Sequence, residues 1–243
     1  GEVCPTCGVE ANHVYVIPPN TNLAVAARVL KLEPRPKGHA PHRSIDFFFE
    51  SLAQDQSERA IGVILSGTAT DGTLGLEAIK AEGGITFAQD ESAKYDSMPR
   101  SAIAAGCVDF VLSPEAIAAE LTQIAQHPDV ADTSHRSDGS HGTDETNKTD
   151  WKNDRQPDAF RKVLHLLRNH CGVDFSLYKM STIQRRVTRR LVLNKLDSLA
   201  AYGAFLKGNT TELGALYADL LIGVTSFFRN PEAFDMLKRK ILP

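Results

Sequence analysis

Between residues 126 and 156 the chain reads QHPDVADTSHRSDGSHGTDETNKTDWKNDRQ, thirty-one positions whose sizeable apolar side chains are Val130 and Trp151. Such a segment buries too little apolar surface to offset the entropy of ordering it. No hydrophobic core can run through it, so the 243 residues are expected to fold as two units joined by a flexible polar linker. Three histidines fall in or beside this stretch, His127, His135 and His141, and its composition reads them as solvated.

The flanking parts differ in charge. Residues 1–125 carry 9 Lys/Arg against 16 Asp/Glu, whereas residues 157–243 carry 14 against 7. An acidic unit and a basic unit are expected to meet different partners.

Residues 1–125 alternate strand and helix signals. HVYVIP is strand-like, and NLAVAARVLKLEPR suits a strand pair. SIDFFFESLAQDQ reads as a helix with Ser44 as its cap, and AIGVILS as a strand buried on both faces. DGTLGLEAIKAEGG predicts a helix with Leu74, Leu76 and Ile79 inward and a stop at Gly83-Gly84. Strand ITFAQD, helix MPRSAIAAG, strand VDFVLS and helix SPEAIAAELTQIA follow. This order implies a parallel sheet covered by helices.

Residues 157–243 lack that alternation and predict a small all-α domain. On PDAFRKVLHLLRNHCG one stripe holds Phe160, Val163, Leu164, Leu167 and Cys171, and the helix ends at Gly172. Later helices have Ser181, Asp197 and Thr210 or Thr211 where N-caps belong, and a last one starts at Asn230-Pro231.

Other function classes are constrained by what is missing. No apolar run reaches the roughly 18 residues needed to span a bilayer, so no membrane insertion is expected. Cys4 and Cys7 form a single C-x-x-C without a second pair, so no metal site is assigned; Cys107 and Cys171 sit in apolar segments as packing residues. A soluble, cytoplasmic protein is the expectation.

Two features suggest chemistry. The run ILSGTATDG, residues 64–72, places Asp71 where a buried strand turns into a helix, the position at which parallel α/β sheets gather functional groups. Spacing alone reads it rather as a cap of the following helix. In TIQRRVTRRLVLNK, Ile183, Val187 and Leu191 share one helical face. Arg185, Arg186 and Arg189 leave from the other side, with Arg190 at its edge and no acidic residue in the helix to pair them. A solvated helix face is one reading; an acidic partner, either a carboxylate-rich helix or nucleic-acid phosphate, is the other.

The ordered run HVYVIPPNTNL, HRSIDFFFESLA, AIGVILSGTATDGTLGLEAIKAEGGITFAQD and MPRSAIAAGCVDFVL resembles the catalytic domain of the chemotaxis protein-glutamate methylesterases over roughly residues 10–125. The resemblance implies an α/β sheet carrying a Ser–His–Asp triad that hydrolyses glutamate methyl esters on chemoreceptors, with Asp71 as the triad aspartate. The family's Gly-x-Ser-x-Gly turn is absent from these residues, and Thr68 replaces a more methionine-bearing form. His39, His42 and Ser44 are nearby candidates, but Ser44 is explained as a cap; His13 reads as a packed or edge strand residue. Without nucleophile and base, Asp71 gives no covalent catalysis.

Residues 158–243, from FRKVLHLLRNHCGVDFSLYKMSTIQRRVTRRLVLNK to VTSFFRNPEAFDML, resemble the N-terminal helical domain of the chemotaxis receptor glutamate methyltransferases. That implies contact of Arg185, Arg186, Arg189 and Arg190 with the receptor's methylation helices. It also implies contact of Thr225 and Arg229 with S-adenosylmethionine, most of whose site lies in a following domain. Together the resemblances predict part of a bifunctional adaptation protein, inactive as these residues alone. The rivals are a non-catalytic signalling scaffold and a nucleic-acid-binding module working through the arginine helix. The latter ranks last, since one basic helix lacks an aromatic stacking platform.

Overall fold

The structure, a computed structural model, describes residues 6–35, 43–127 and 156–221. A short antiparallel sheet comes first. β1 (Thr6–Gly8), β2 (Thr21–Ala26) and β3 (Val29–Pro34) lie in the order β1-β3-β2, and Leu23, Val25 and Leu30 form its small core. The β2–β3 hairpin is the expected strand pair. HVYVIP is not a strand: it holds one isolated bridge at Val16, and Val14 and Val16 are exposed. Pro18, its last residue, and Pro19 after it have no N–H to extend a ladder.

The second sheet is parallel, β4 (Ile61–Ile64), β5 (Ile85–Gln89) and β6 (Phe110–Leu112), in that order. β5 is central and buried along its whole length, as a doubly covered strand must be. The Phe87 and Phe110 rings stack 5.1 Å apart at neighbouring positions of β5 and β6. α1 (Ser44–Gln56), α2 (Thr73–Ala81), α3 (Ser97–Ala104) and α4 (Pro114–Gln126) cover this sheet. α1 and α2 approach closely because Gly75 has no side chain; a Cβ there would lie 2.4 Å from Phe49 Cβ. Leu76 and Ile79 of α2 are fully buried, but Leu74 is exposed, contrary to expectation.

The second half is helical: α5 (Gln156–Cys171), α6 (Met180–Leu193), α7 (Leu199–Leu206) and α8 (Thr210–Leu221). Phe160, Val163 and Leu167 of α5 meet Ile183, Val187 and Leu191 of α6 and Tyr202 and Leu216 of the last two helices in one core. Three caps differ from expectation. Ser198 Oγ accepts from Ala201 N–H and Asn209 Oδ1 from Glu212 N–H, while α6 starts after Lys179 with no side-chain cap. Ser198 sits where the backbone is extended, and the oxygens of Ser198 and Asn209 each reach the third helical N–H, one or two positions from the residues chosen by pattern.

The two halves touch. Val192 of α6 packs among Ile85, Phe87, Ile117 and Ile124 of the α/β half. His127, read above as solvated, is buried, and its Nε2 lies 3.1 Å from the Leu196 carbonyl oxygen. Each half therefore covers apolar surface the other leaves open.

Candidate functional site

The loop 65–72 leaves the carboxyl end of β4, beside the loop that leaves β5. Ser66 N–H donates to Gln89 Oε1 at 2.8 Å, Tyr95 N–H to Ser66 Oγ at 2.9 Å, and Gly67 N–H to the Tyr95 carbonyl at 2.8 Å. The two loops are thereby stitched into one polar rim at the end of the sheet. Gly72 turns the chain into α2 with φ +96°; a Cβ at this position would meet Ile64 and Ile45 side chains at 2.7 and 2.9 Å. Only glycine satisfies both demands.

Asp71 does not cap α2. Its Oδ2 accepts the Ile45 N–H at 3.1 Å and its Oδ1 the Asp46 N–H at 3.0 Å, so it caps α1 across the fold. Ser44, the residue expected to do this, opens the helix at its first position and forms no capping bond. In return, Asp46 Oδ1 accepts the Gly75 N–H of α2 at 2.8 Å. α1 thus begins on a carboxylate from the loop ahead of α2, and α2 on a carboxylate of α1 itself. Asp46 is buried and its second oxygen is held by Arg43, 3.0 Å from Nε and 2.9 Å from Nη2.

This geometry bears on chemistry. Asp71 is half-buried, locked in orientation by two main-chain donors, and placed at the carboxyl edge of a parallel sheet. A carboxylate has about four acceptor positions, so two remain for an imidazole N–H. His13 does not provide one: it lies in an exposed turn with its Nδ1 2.9 Å from the Ala11 carbonyl oxygen. Residues 36–42, with His39 and His42, are outside the described residues, as are Cys4, Thr225 and Arg229. Among the described residues no group of three or more His, Cys, Asp or Glu side chains is arranged for a metal.

The arginines of α6 are not a solvated face. Arg186 and Arg189 are 2% and 3% exposed. Arg185 Nη1 donates to Glu82 Oε2 at 3.3 Å, and its stem lies over Gly83. Arg186 donates to the carbonyls of Lys80, at 2.6 Å, and Ala81, which end α2. These last carbonyls of α2 carry the negative end of the helix dipole, and the Lys80 carbonyl has room for a second donor beside the Gly83 N–H at 3.1 Å, so a guanidinium suits them. Burial, then the charges of Arg185 and Arg189, push the Arg186 guanidinium down to about 10. Arg189 donates to the Gly84 carbonyl at 3.0 Å and pairs with Asp109 and Asp219. Arg190 turns into its own half, onto Glu212, which also accepts from Tyr202 Oη and Asn194 Nδ2 at 2.9 Å each. Burial opposes the charge on Arg190, but bonding to Glu212 outweighs it and holds Arg190 above its ordinary value.

Asp46, Glu82, Asp109 and Asp219 were not singled out from sequence. Glu82 had a signal: an acidic residue at the end of a helix is unfavourable unless a cation answers it.

Two family models match separate parts of the chain. Residues 2–121 match the family model for the CheB methylesterase, and residues 158–221 that for the CheR methyltransferase, all-alpha domain. The chain joins a CheB methylesterase segment to a CheR methyltransferase all-alpha segment. A 104.1 kDa uncharacterized protein encoded in the hypE 3'region of Rhodobacter capsulatus is 35% identical over 240 residues, 96% of this chain and 25% of that protein. The protein-glutamate methylesterase/protein-glutamine glutaminase 2 of Burkholderia thailandensis is 39% identical over 117 residues, 46% of this chain and 33% of that protein. This chain therefore spans a quarter to a third of these two relatives. The crystal structure of the Thermotoga maritima CheB methylesterase catalytic domain aligns at 32% identity over 41% of this chain and 55% of that one, with a TM-score of 0.38. In the CheB half lies the parallel sheet with Asp71 at its carboxyl edge; in the CheR half lies the arginine helix.

Proposed function

We propose that this chain is part of an adaptation protein that sets the methylation of chemoreceptor glutamates. Its CheB half would belong to the enzyme that hydrolyses the methyl esters, and its CheR half to the one that makes them. The observation that carries this is the occurrence of both family matches in one chain, at residues 2–121 and 158–221.

Within that reading Asp71 is the triad aspartate. Held by two main-chain N–H groups, it would accept the N–H of a base histidine and fix that ring's orientation toward a serine; among the described residues neither bonds to it. Alone, the 243 residues would bind but not hydrolyse. S-adenosylmethionine is the methyl donor the CheR family implies. Thr225 and Arg229 would touch it, Arg229 through the cofactor's carboxylate; both lie outside the described residues, and none of the contacts described here involves the cofactor. The division into 1–125, 126–156 and 157–243 belongs to this reading, as does a cytoplasmic location. No helix among the described residues is long and apolar enough to cross a membrane.

A longer protein carrying this chain tests the reading on chemoreceptor-containing membranes. It should release methanol from methylated receptors and, with labelled S-adenosylmethionine, transfer methyl groups to unmethylated ones. Asp71→Asn should abolish the first activity and spare the second. Absence of both activities would favour the scaffold reading, which Asp71's structural duty already accommodates.

A further inference from the structure

The arginine face of α6 is occupied by the chain's own CheB half. Arg185 reaches Glu82, Arg186 the last carbonyls of α2, and Arg189 the Gly84 carbonyl and Asp109. Lys195, just past α6, adds an ion pair to Glu120 at 2.9 Å. The groups that fill this face are carboxylates and helix-end carbonyls, the same chemistry that an acidic helix from another protein would offer. Arg186 and Arg189 are nearly inaccessible, so an outside carboxylate cannot reach them while the halves are docked. Arg185 is different. Its side chain is a quarter exposed, against 2% and 3% for Arg186 and Arg189, so among the three described it is the one an outside carboxylate can approach first.

We infer that the α6 arginine face is a shared surface, bound in cis by the end of α2 and Asp109 or in trans by an acidic helix, but never by both. Docking of the halves masks the CheR segment's receptor-binding face, and capture of an acidic helix separates the halves. The inference rests on the reading above in one respect: that the trans partner is a carboxylate-rich helix. Its mechanical consequence is that the CheB and CheR halves of one molecule take turns at a receptor. Affinity for the trans partner is then reduced by the fraction of molecules that are closed.

The test uses the whole 243-residue chain and a synthetic glutamate-rich amphipathic helical peptide, with binding followed by fluorescence anisotropy. Glu82→Lys with Glu120→Lys opposes Arg185 and Lys195 from the CheB side and leaves every arginine in place. Amide hydrogen exchange of α6 and β5 reports whether the halves have parted. The expected result is faster exchange there and about tenfold tighter peptide binding than wild type. Adding Arg185→Ala and Arg186→Ala should abolish the gain. Asp109→Asn, whose amide oxygen can still accept from Thr86, serves as an independent opening variant that should act in the same direction.

Three outcomes overturn the proposal, and they differ. Equal peptide binding by wild type and an opened chain would mean that nothing is masked, with the acidic-partner reading intact. No binding by a chain that exchange shows to be open would remove the acidic partner itself. Unchanged exchange in both opening variants would mean that these contacts do not hold the halves together.

Discussion

Asp71 and Asp46 each complete the start of a helix to which they do not belong. Removing a capping side chain costs about 1 kcal/mol and up to about 2. Asp71→Ala orphans two N–H donors and should fall at the upper end, measured by urea unfolding of this chain. Asp71→Asn keeps one acceptor and should lose less than half as much. The distinction matters for assays: an alanine here confounds lost chemistry with lost fold, whereas asparagine largely separates them. Cys107 gives a second residue-scale prediction. Burial, then the nearby Glu77, push its thiol up to about 11 from 9.0. A raised thiol pKa favours the neutral folded form, so its contribution to stability is full below pH 9 and is lost as pH rises through 11. At pH 8.5 an alkylating reagent should therefore spare Cys107 in the folded chain, label the half-exposed Cys7, and reach Cys107 in urea. Labelling of Cys107 as fast as Cys7 without denaturant would refute this.

Among the elements, α6 shows how far sequence could reach. Its apolar stripe of Ile183, Val187 and Leu191 was legible from helical spacing alone, and all three are buried. The fate of its arginines was not, because their partners lie 22 to 106 positions away. Periodicity finds the face of a helix but not what covers it. The same limit explains Ser44 and Asp71: local pattern offered the nearest capping residue, and the fold supplied a carboxylate 25 positions distant. The parallel sheet and its helices were legible because their signals are local. HVYVIP misled, because alternation reports a strand only where a neighbouring strand exists to pair with it. One prediction belongs to α6. Arg190→Ala leaves Glu212 buried without its cation and should cost about 3–5 kcal/mol in thermal or urea unfolding. Glu212→Gln in the same chain keeps acceptors for Tyr202 and Asn194 while removing the charge, and should recover more than half of that loss.

On the scale of the whole molecule, the opposed charges of the two halves are answered at one seam, where apolar packing around Val192 is flanked by Arg185–Glu82 and Lys195–Glu120. The linker composition predicts cleavage by trypsin after Arg136, Lys148, Lys152 or Arg155. After that cut the two pieces should still elute together on gel filtration at low ionic strength. Raising the salt should weaken the exposed pairs and loosen the complex, while Arg189, buried between Asp109 and Asp219, resists screening. Pieces that separate at once in low salt would mean that the seam contributes little to holding the halves.

The exchange of carboxylates between α1 and α2 has an evolutionary corollary. A residue with a structural duty is retained by selection for folding even after its chemistry is no longer needed. In a lineage drifting from enzyme to scaffold, a nucleophilic serine and its histidine would be replaced first, while Asp71 stayed because α1 begins on it.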